Sequence, residues 1–308
     1  MTAALTIDAL TVRIPVGSGV VHAATDVDLT LEAGRVHALV GESGCGKSIV
    51  ASAACGLLPS NARVSGSVRL ASASDDIEIV GAPERLLQSV RGRRIALVPQ
   101  SAAAYLTPVH TVGAQLDETL RHLGSRYGVD ELLARSGLDP ECRTLYPHEL
   151  SGGMAQRAAI AFALAGEPAV IVADEPTSSL DPDLTERILT LLDGCADAGA
   201  SVLLITHDIA AARRHADAVS VMYAGRILES GPAADVLDDP WHDYTKDLMA
   251  ALPGNGLRPM PGTPPELTDL PDDCVYHLRR PGTAFSGGRT QLVRSGARVV
   301  RTRVGGGS

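Results

Sequence analysis

Eight consecutive residues, Gly41-Glu42-Ser43-Gly44-Cys45-Gly46-Lys47-Ser48, have the types and order that can grip a phosphate. They fit the spacing G-x-x-x-x-G-K-[ST]. Glycines there let successive backbone N–H groups converge on one point, and a helix opening after them adds partial positive charge. Lys47 would reach the β- and γ-phosphates of a nucleotide, and the Ser48 hydroxyl a magnesium ion. Hydrolysis also needs a metal-binding carboxylate, an oriented water and a group on the γ-phosphate. Asp174 suits the first task, and Glu175 can orient and deprotonate the water. Gln100 can sense the metal or that water, and His207 can contact the γ-phosphate. Taken singly, each has an ordinary reading: a glycine-rich turn, a surface acidic pair, a structural glutamine or histidine at a strand end. Together on one chain they point to phosphoryl transfer from a nucleoside triphosphate to water. The loop alone does not say which enzyme this is, since kinases, GTPases and transport motors share it.

The elements that must position these groups are legible around them. Residues 36–40 form a strand-length apolar run ahead of the loop, and residues 49–58 read as an alanine-rich helix after it. Buried strands at 95–99, 169–173 and 201–206 deliver Gln100, Asp174-Glu175 and His207 at their carboxyl ends, where parallel α/β sheets collect their active groups. Residues 5–14 and 20–31 alternate apolar and polar positions, as half-buried antiparallel strands do. Short strands follow at 64–70 and 77–80, and a helix at 83–90. From residue 105 to 150 the strand signal gives way to helical patterning, at 115–123 and 129–136, with a further helix over 155–165. Another helix runs over 182–198, with Pro182 near its start. Strands alternating with helices predict parallel pairing, so the expected class is α/β with an antiparallel β edge and a helical subdomain at about 105–165. The core domain is expected over 1–252, ending with a helix over 241–252. A Pro- and Gly-rich linker and a basic extension then fill 253–308.

Bulk properties narrow the setting. The 308 residues are 45% hydrophobic but only 3% aromatic, so the core must be aliphatic and alanine-rich. No apolar run approaches the roughly 18–20 residues that cross a bilayer, and MTAALTIDAL lacks the charged-then-apolar profile of a secretory leader. A formal charge of −9 disfavours nonspecific nucleic-acid binding. From Cys274 onward there are seven arginines and no acidic residue, a tail expected to be solvated or to touch anionic lipid or an acidic partner. Five scattered cysteines without a C-x-x-C pair read as reduced thiols in the cytoplasm.

With these motifs in hand, the chain resembles the ATP-binding cassette (ABC) ATPases, a branch of the P-loop NTPases. LSGGM followed by AQR looks like the family signature, VIVADEP like its aspartate strand, SSLD like its D-loop and ITHD like its switch histidine. The resemblance implies ATP and magnesium as cofactors, held by Gly41 to Ser48 with Ile49, and by Ser48, Gln100 and Asp174 at the metal. It implies that Ser151, Gly152 and Gly153, with Asp181, serve the nucleotide of a second ABC subunit, each ATP lying between the P-loop of one chain and the signature of the other. A narrower resemblance is to the ATPases of oligopeptide, dipeptide and nickel importers, carried by HELSGGM, GESGCGKS, LTPVHTVGAQLDETL and PWHDYTKDLMAALP. Ile49-Val50 suggests the first of two nonidentical subunits.

The implied partners are thus a paralogous ATPase, two integral membrane permease subunits and an extracytoplasmic substrate-binding protein, with no nucleic acid. The implied place is peripheral, on the cytoplasmic face of the inner membrane. A soluble ABC ATPase of DNA repair or translation, or a regulatory ATP-binding subunit, are the alternatives. Coiled coils, zinc pairs and a second cassette are not visible for the former, and Lys47, Asp174, Glu175 and His207 are intact against the latter.

Three departures from the family pattern carry expectations. No Phe, Trp or Tyr precedes Tyr105, so the adenine-stacking aromatic expected near Val21 is missing; only His22 could stack from this segment, and GTP should replace ATP with little loss. Cys274 stands with Arg280 where a next cysteine is expected, so no iron–sulfur cluster is expected. Asp243 replaces a proline. Cys45, among the loop N–H groups, has two readings: a thiol of lowered pKa that is alkylated unless ATP protects it, or a buried inert cysteine filling the loop.

Overall fold

The computed structural model describes residues 2–17, 19–72, 75–178, 180–271, 275–279 and 290–303. Its first strands, β1 (Ala3–Val16) and β2 (Gly19–Glu32), pair antiparallel. Leu5, Ile7, Leu10 and Val12 of β1 are buried. The alternation breaks between Ile7 and Leu10 because the register shifts there, at Ala9 with its positive φ of 46°. β3 (Val36–Val40) leaves this layer, and β4 (Arg63–Leu70) and β5 (Ile77–Glu78) return to complete a four-stranded sheet in the order β2-β1-β4-β5. This is the antiparallel edge that the alternating pattern predicts.

The second sheet has eight strands. Its parallel members are β3, β6 (Ile95–Val98), β7 (Val170–Asp174), β8 (Ser201–Thr206) and β9 (Ala218–Tyr223). Every residue of β3, β7 and β8 is buried, as expected of parallel strands covered on both faces. Antiparallel to β9 runs β10 (Arg226–Pro232), followed outward by the hairpin β11 (Thr290–Ser295) and β12 (Arg298–Arg303). The full order is β11-β12-β10-β9-β3-β8-β7-β6.

Helices cover both faces. α1 (Lys47–Ala54) lies in the core between the two sheets, where Val50, Ala51, Ala53 and Ala54 meet Leu5, Leu29 and Ile205. α2 (Glu84–Val90) adds Leu87 and Val90 to the same core. The other face carries α3 (Val112–Leu123), α4 (Val129–Arg135), α5 (Gly152–Leu164) and α6 (Pro182–Asp197), which bury Leu116, Leu132, Ile160 and Leu189 against Val98, Ile171 and Val202. Thr111 caps α3, its Oγ1 accepting from the Ala114 N–H at 3.3 Å.

α7 (Ile209–His215), β9, β10 and α8 (Ala233–Asp238) were not expected from the sequence; they and α9 (Asp243–Ala250) surround a third core holding Tyr223 and Tyr244. No helix among the described residues is long and apolar enough to cross a membrane.

The basic extension departs from expectation. Instead of a solvated tail, it contributes β11 and β12 to the large sheet, and Arg279, Arg298 and Arg301 turn inward while Arg294 is exposed. Arg298 pairs with the fully buried Glu229 at 2.6 Å and lies 3.7 Å from the Trp241 ring centroid. Arg301 donates to the carbonyls of Ile227 at 3.0 Å and Asp26 at 3.2 Å. A tail of one sign can pack because the rest of the chain carries the complementary carboxylates and carbonyls. Cys274 and Arg280, on which the iron–sulfur expectation rests, lie outside the described residues.

Candidate nucleotide-hydrolysis site

The phosphate loop follows β3 in the middle of the sheet, and its shape demands glycine at two places. Gly41 has a φ of +153° and a Cβ there would sit 2.1 Å from the Met222 carbonyl oxygen. Gly46 has a φ of +109° and a Cβ would sit 2.2 Å from the Ala23 carbonyl oxygen. The loop is thus pressed between β2 and β9, and α1 begins at Lys47, earlier than the apolar pattern predicts. Lys47 is buried, its Nζ donating to the carbonyls of Gly41 at 2.9 Å and Glu42 at 3.0 Å. Ser43, Gly44 and Ser48 are exposed at the mouth. Ile49 packs partly into the core between the sheets, and its N–H donates to Gly46 O at 3.1 Å.

Asp174 ends β7 beneath this loop. It is buried, and its Oδ1 has no hydrogen-bond partner. Burial pushes its carboxyl above the usual carboxylate range, and the Glu175 charge adds to this. A hydrogen bond from Ser48 and the Lys47 charge oppose the rise. An orphaned buried carboxylate oxygen beside a serine hydroxyl fits a magnesium ion shared with phosphate oxygens. Among the described residues no group of three His, Cys, Asp or Glu could hold a metal without such help.

Glu175, Gln100 and His207 come from the ends of the neighbouring strands β7, β6 and β8, and the structure brings all three together. Gln100 Nε2 donates to Glu175 Oε2 at 3.0 Å, and His207 Nδ1 lies 3.4 Å from the same oxygen. Glu175 holds a φ of +47°, a conformation that non-glycine residues adopt at a cost and keep mostly at functional sites. Its N–H is tied to Ile205 O at 2.9 Å, which fixes the turn. A cavity of about 320 Å³ opens beside Glu175 and His207, lined also by Thr177, Ser178, Thr206 and Arg214.

The remaining expected residues stand apart. Ser151 caps α5, its Oγ accepting from the Met154 N–H at 3.2 Å, so this signature belongs to the helical core while α1 belongs to the core between the sheets. A Cβ on Gly153 would lie 2.0 Å from Leu184 Cδ2, so that side chain would have to shift, whereas one on Gly152 would meet nothing within 4 Å. Asp181 caps α6, Oδ1 accepting from the Leu184 N–H at 2.9 Å.

Burial decides between the two readings of Cys45. Its thiol is buried, and burial pushes its pKa up, against the lowering pull of Lys47. Desolvation outweighs the helix terminus, and the reactive-thiol reading falls. Two residues touching the loop were missed: Arg279 pairs with the Glu42 carboxylate, and Tyr244 Oη accepts from the Glu42 N–H at 3.3 Å. No sequence signal links positions so far apart.

The chain matches the family model described as ABC transporter over residues 24–178, and the model for the oligopeptide/dipeptide transporter C-terminal region over residues 228–284. The dipeptide transport ATP-binding protein DppD of Bacillus subtilis is 37% identical over 317 residues, covering 97% of this chain and 94% of the relative. The oligopeptide transport ATP-binding protein OppD of Salmonella typhimurium is 39% identical over 292 residues, 90% of this chain and 86% of the relative. OppD of Mycobacterium tuberculosis is 40% identical over 277 residues, 85% of this chain, but the match spans only 45% of that relative's length. Among solved structures, the ATP-binding cassette MJ0796, described as dimeric, post-hydrolysis and bound to ADP and Pi, superposes with a TM-score of 0.65 at 27% identity, covering 74% of this chain and 98% of that one. The P-loop, the converging strand ends and these matches agree: the chain belongs to the ABC transporter family, with the C-terminal region of its oligopeptide/dipeptide branch.

Proposed function

We propose that this chain binds and hydrolyses ATP as the nucleotide-binding subunit of an ABC importer, and that the cargo is a di- or oligopeptide. The observation that carries the hydrolysis is the convergence of Gln100 and His207 on the Glu175 carboxylate, one residue past Asp174. Lys47 would exchange the carbonyls of Gly41 and Glu42 for the β- and γ-phosphate oxygens. Glu175 accepts the proton of the attacking water, with Gln100 holding the carboxylate in line and His207 reaching the γ-phosphate. Ser48, Asp174 and Gln100 would hold magnesium, whose chemistry is to neutralise charge on the β- and γ-oxygens.

Ser151, Gly152 and Gly153 form a helix N-terminus with open space over Gly152. This supports a second ATPase subunit presenting its own P-loop there, with Asp181 nearby at the start of α6. A paralogous partner, two permease subunits and an extracytoplasmic binding protein complete the assembly, and the chain sits peripherally on the cytoplasmic face of the membrane. The names of the relatives favour peptides over nickel complexes, and favour transport over a soluble repair or translation ATPase.

Uptake of a labelled dipeptide into proteoliposomes carrying the chain and its membrane subunits tests the reading. Uptake should require ATP and stop in Glu175→Gln. ATP-driven uptake of nickel but not peptide would reverse the cargo assignment.

A further inference from the structure

The loop that receives the triphosphate is held from outside by the C-terminal region. The Arg279 guanidinium grips the Glu42 carboxylate with both prongs, Nη1 on Oε2 and Nη2 on Oε1 at 3.0 Å. Its third donor, Nε, is fixed on the Pro261 carbonyl at 2.6 Å. The Arg279 side chain is 4% exposed and that of Glu42 24%. This is a planar fork matched to a carboxylate, which a lysine cannot reproduce. Gly262 is fitted to the same residue: at a φ of +55°, a Cβ there would lie 2.5 Å from the Arg279 carbonyl oxygen.

Tyr244 braces Glu42 from its backbone side and packs with Tyr223 and Tyr276, whose ring centroids lie 4.5 and 5.3 Å from its own. The same region reaches the opposite wall of the loop. Thr268 bridges to Val21, and the His22 N–H donates to Leu267 O at 2.7 Å, next to the Ala23 carbonyl that presses on Gly46.

We propose that the C-terminal region sets the affinity of the phosphate loop for nucleotide, with Arg279 as the positioning residue acting through Glu42. The proposal rests on the ATP reading above. Glu42 is an acidic residue inside a loop that must accept a polyanion. Paired with Arg279, its charge is neutralised and the loop backbone is held in place. Left unpaired, the carboxylate would repel the phosphates and let the loop shift. Removing Arg279 should therefore weaken nucleotide binding, and removing the stranded carboxylate as well should restore it.

Isothermal titration of the full chain with a non-hydrolysable ATP analogue and magnesium tests this in a double-mutant cycle. Arg279→Gln should weaken binding roughly tenfold, and the Arg279→Gln/Glu42→Gln pair should return to within about threefold of the wild type. Arg279→Lys should fall between them. In turnover, Arg279→Gln should raise KM far more than it lowers kcat. Binding by Arg279→Gln within about twofold of the wild type, or a double variant as weak as the single one, overturns the proposal. Thermal melting checks folding, and if Arg279→Gln does not fold, Arg279→Lys carries the same cycle. Lys47→Ala separates the two readings. It should abolish binding in every background, and a wild-type chain that binds no nucleotide would sink the ATP reading instead.

Discussion

Gln100 and Glu175, 75 positions apart in sequence, are joined side chain to side chain by a 3.0 Å hydrogen bond, amide to carboxylate. Two adjacent parallel strands end level with each other, and the bond spans the gap between their tips. The carboxylate that would take a proton from water is thereby aimed by a residue from a different strand. Phosphate release at saturating magnesium-ATP should fall by about a hundredfold or more in Glu175→Gln, since a positioned base contributes that much. Gln100→Ala, which disorients the base without removing it, should cost less, about tenfold. Full turnover in Glu175→Gln would refute the base assignment.

The buried Asp174 carboxylate lowers the stability of the folded chain. Its carboxyl is held above the ordinary range chiefly by burial, so the native state binds its proton more tightly than the unfolded chain does. The penalty is complete above the native pKa and disappears as pH falls through it. Asp174→Asn should therefore melt higher than the wild type at neutral pH without nucleotide, by about 2–4 °C for each 1 kcal/mol relieved. The gain should shrink on acidification, and magnesium should no longer strengthen nucleotide binding. A lower melting temperature at neutral pH would contradict this account.

Two histidines give the opposite slope. Burial lowers His37 and His242 to about 4 each. His37 Nε2 lies 2.8 Å from Ser220 Oγ, and His242 Nδ1 accepts from the Tyr244 N–H at 3.0 Å. The unfolded chain takes up protons near the ordinary value while the native state does not, so stability is full above that value and is lost as pH drops towards 4. At pH 5 each should have cost about 2 kcal/mol. Denaturant unfolding of His37→Gln at pH 7.5 and pH 5 should show a smaller difference than the wild type, and an unchanged difference would remove His37 from the account.

The base should be read loosely. At Val21 and His22, where a stacking ring is missing, β2 is bridged by the backbone of residues 267–268. That leaves the His22 imidazole as the one ring this segment can offer adenine. GTP should compete for the site within about threefold of ATP, since stacking on a ring is worth about 1–3 kcal/mol per base where it exists. Strong preference for ATP in a competition titration would mean that another residue supplies the contact.

Much of this was legible before any coordinates. The Lys47 loop, the strand ends at Gln100, Asp174, Glu175 and His207, and the helices after Thr111 and Ser151 follow from local spacing and apolar runs, which depend on neighbours in sequence. What escaped was set by partners far away. β9 and β10 carry polar residues such as Ser220, Arg226 and Glu229 inside the fold, so no clean apolar run announced them. Arg279, Arg298 and Arg301 read as solvated because the carboxylates and carbonyls that receive them lie hundreds or tens of residues earlier. Cys45 stayed open between two readings for a related reason: helix position is visible in sequence, but the burial that overrides it is not.

The Arg298–Glu229 pair has a bearing on how the molecule is made. The two residues are 69 positions apart, and Glu229 is fully enclosed once β12 is in place. While a ribosome is still adding the intervening residues, β10 cannot complete its outer side, and a carboxylate enclosed without its cation would cost about 3–5 kcal/mol. The central strands can assemble early, but this flank must wait for β12 to emerge. A nascent chain arrested before that point should be the form that chaperones and proteases seize first.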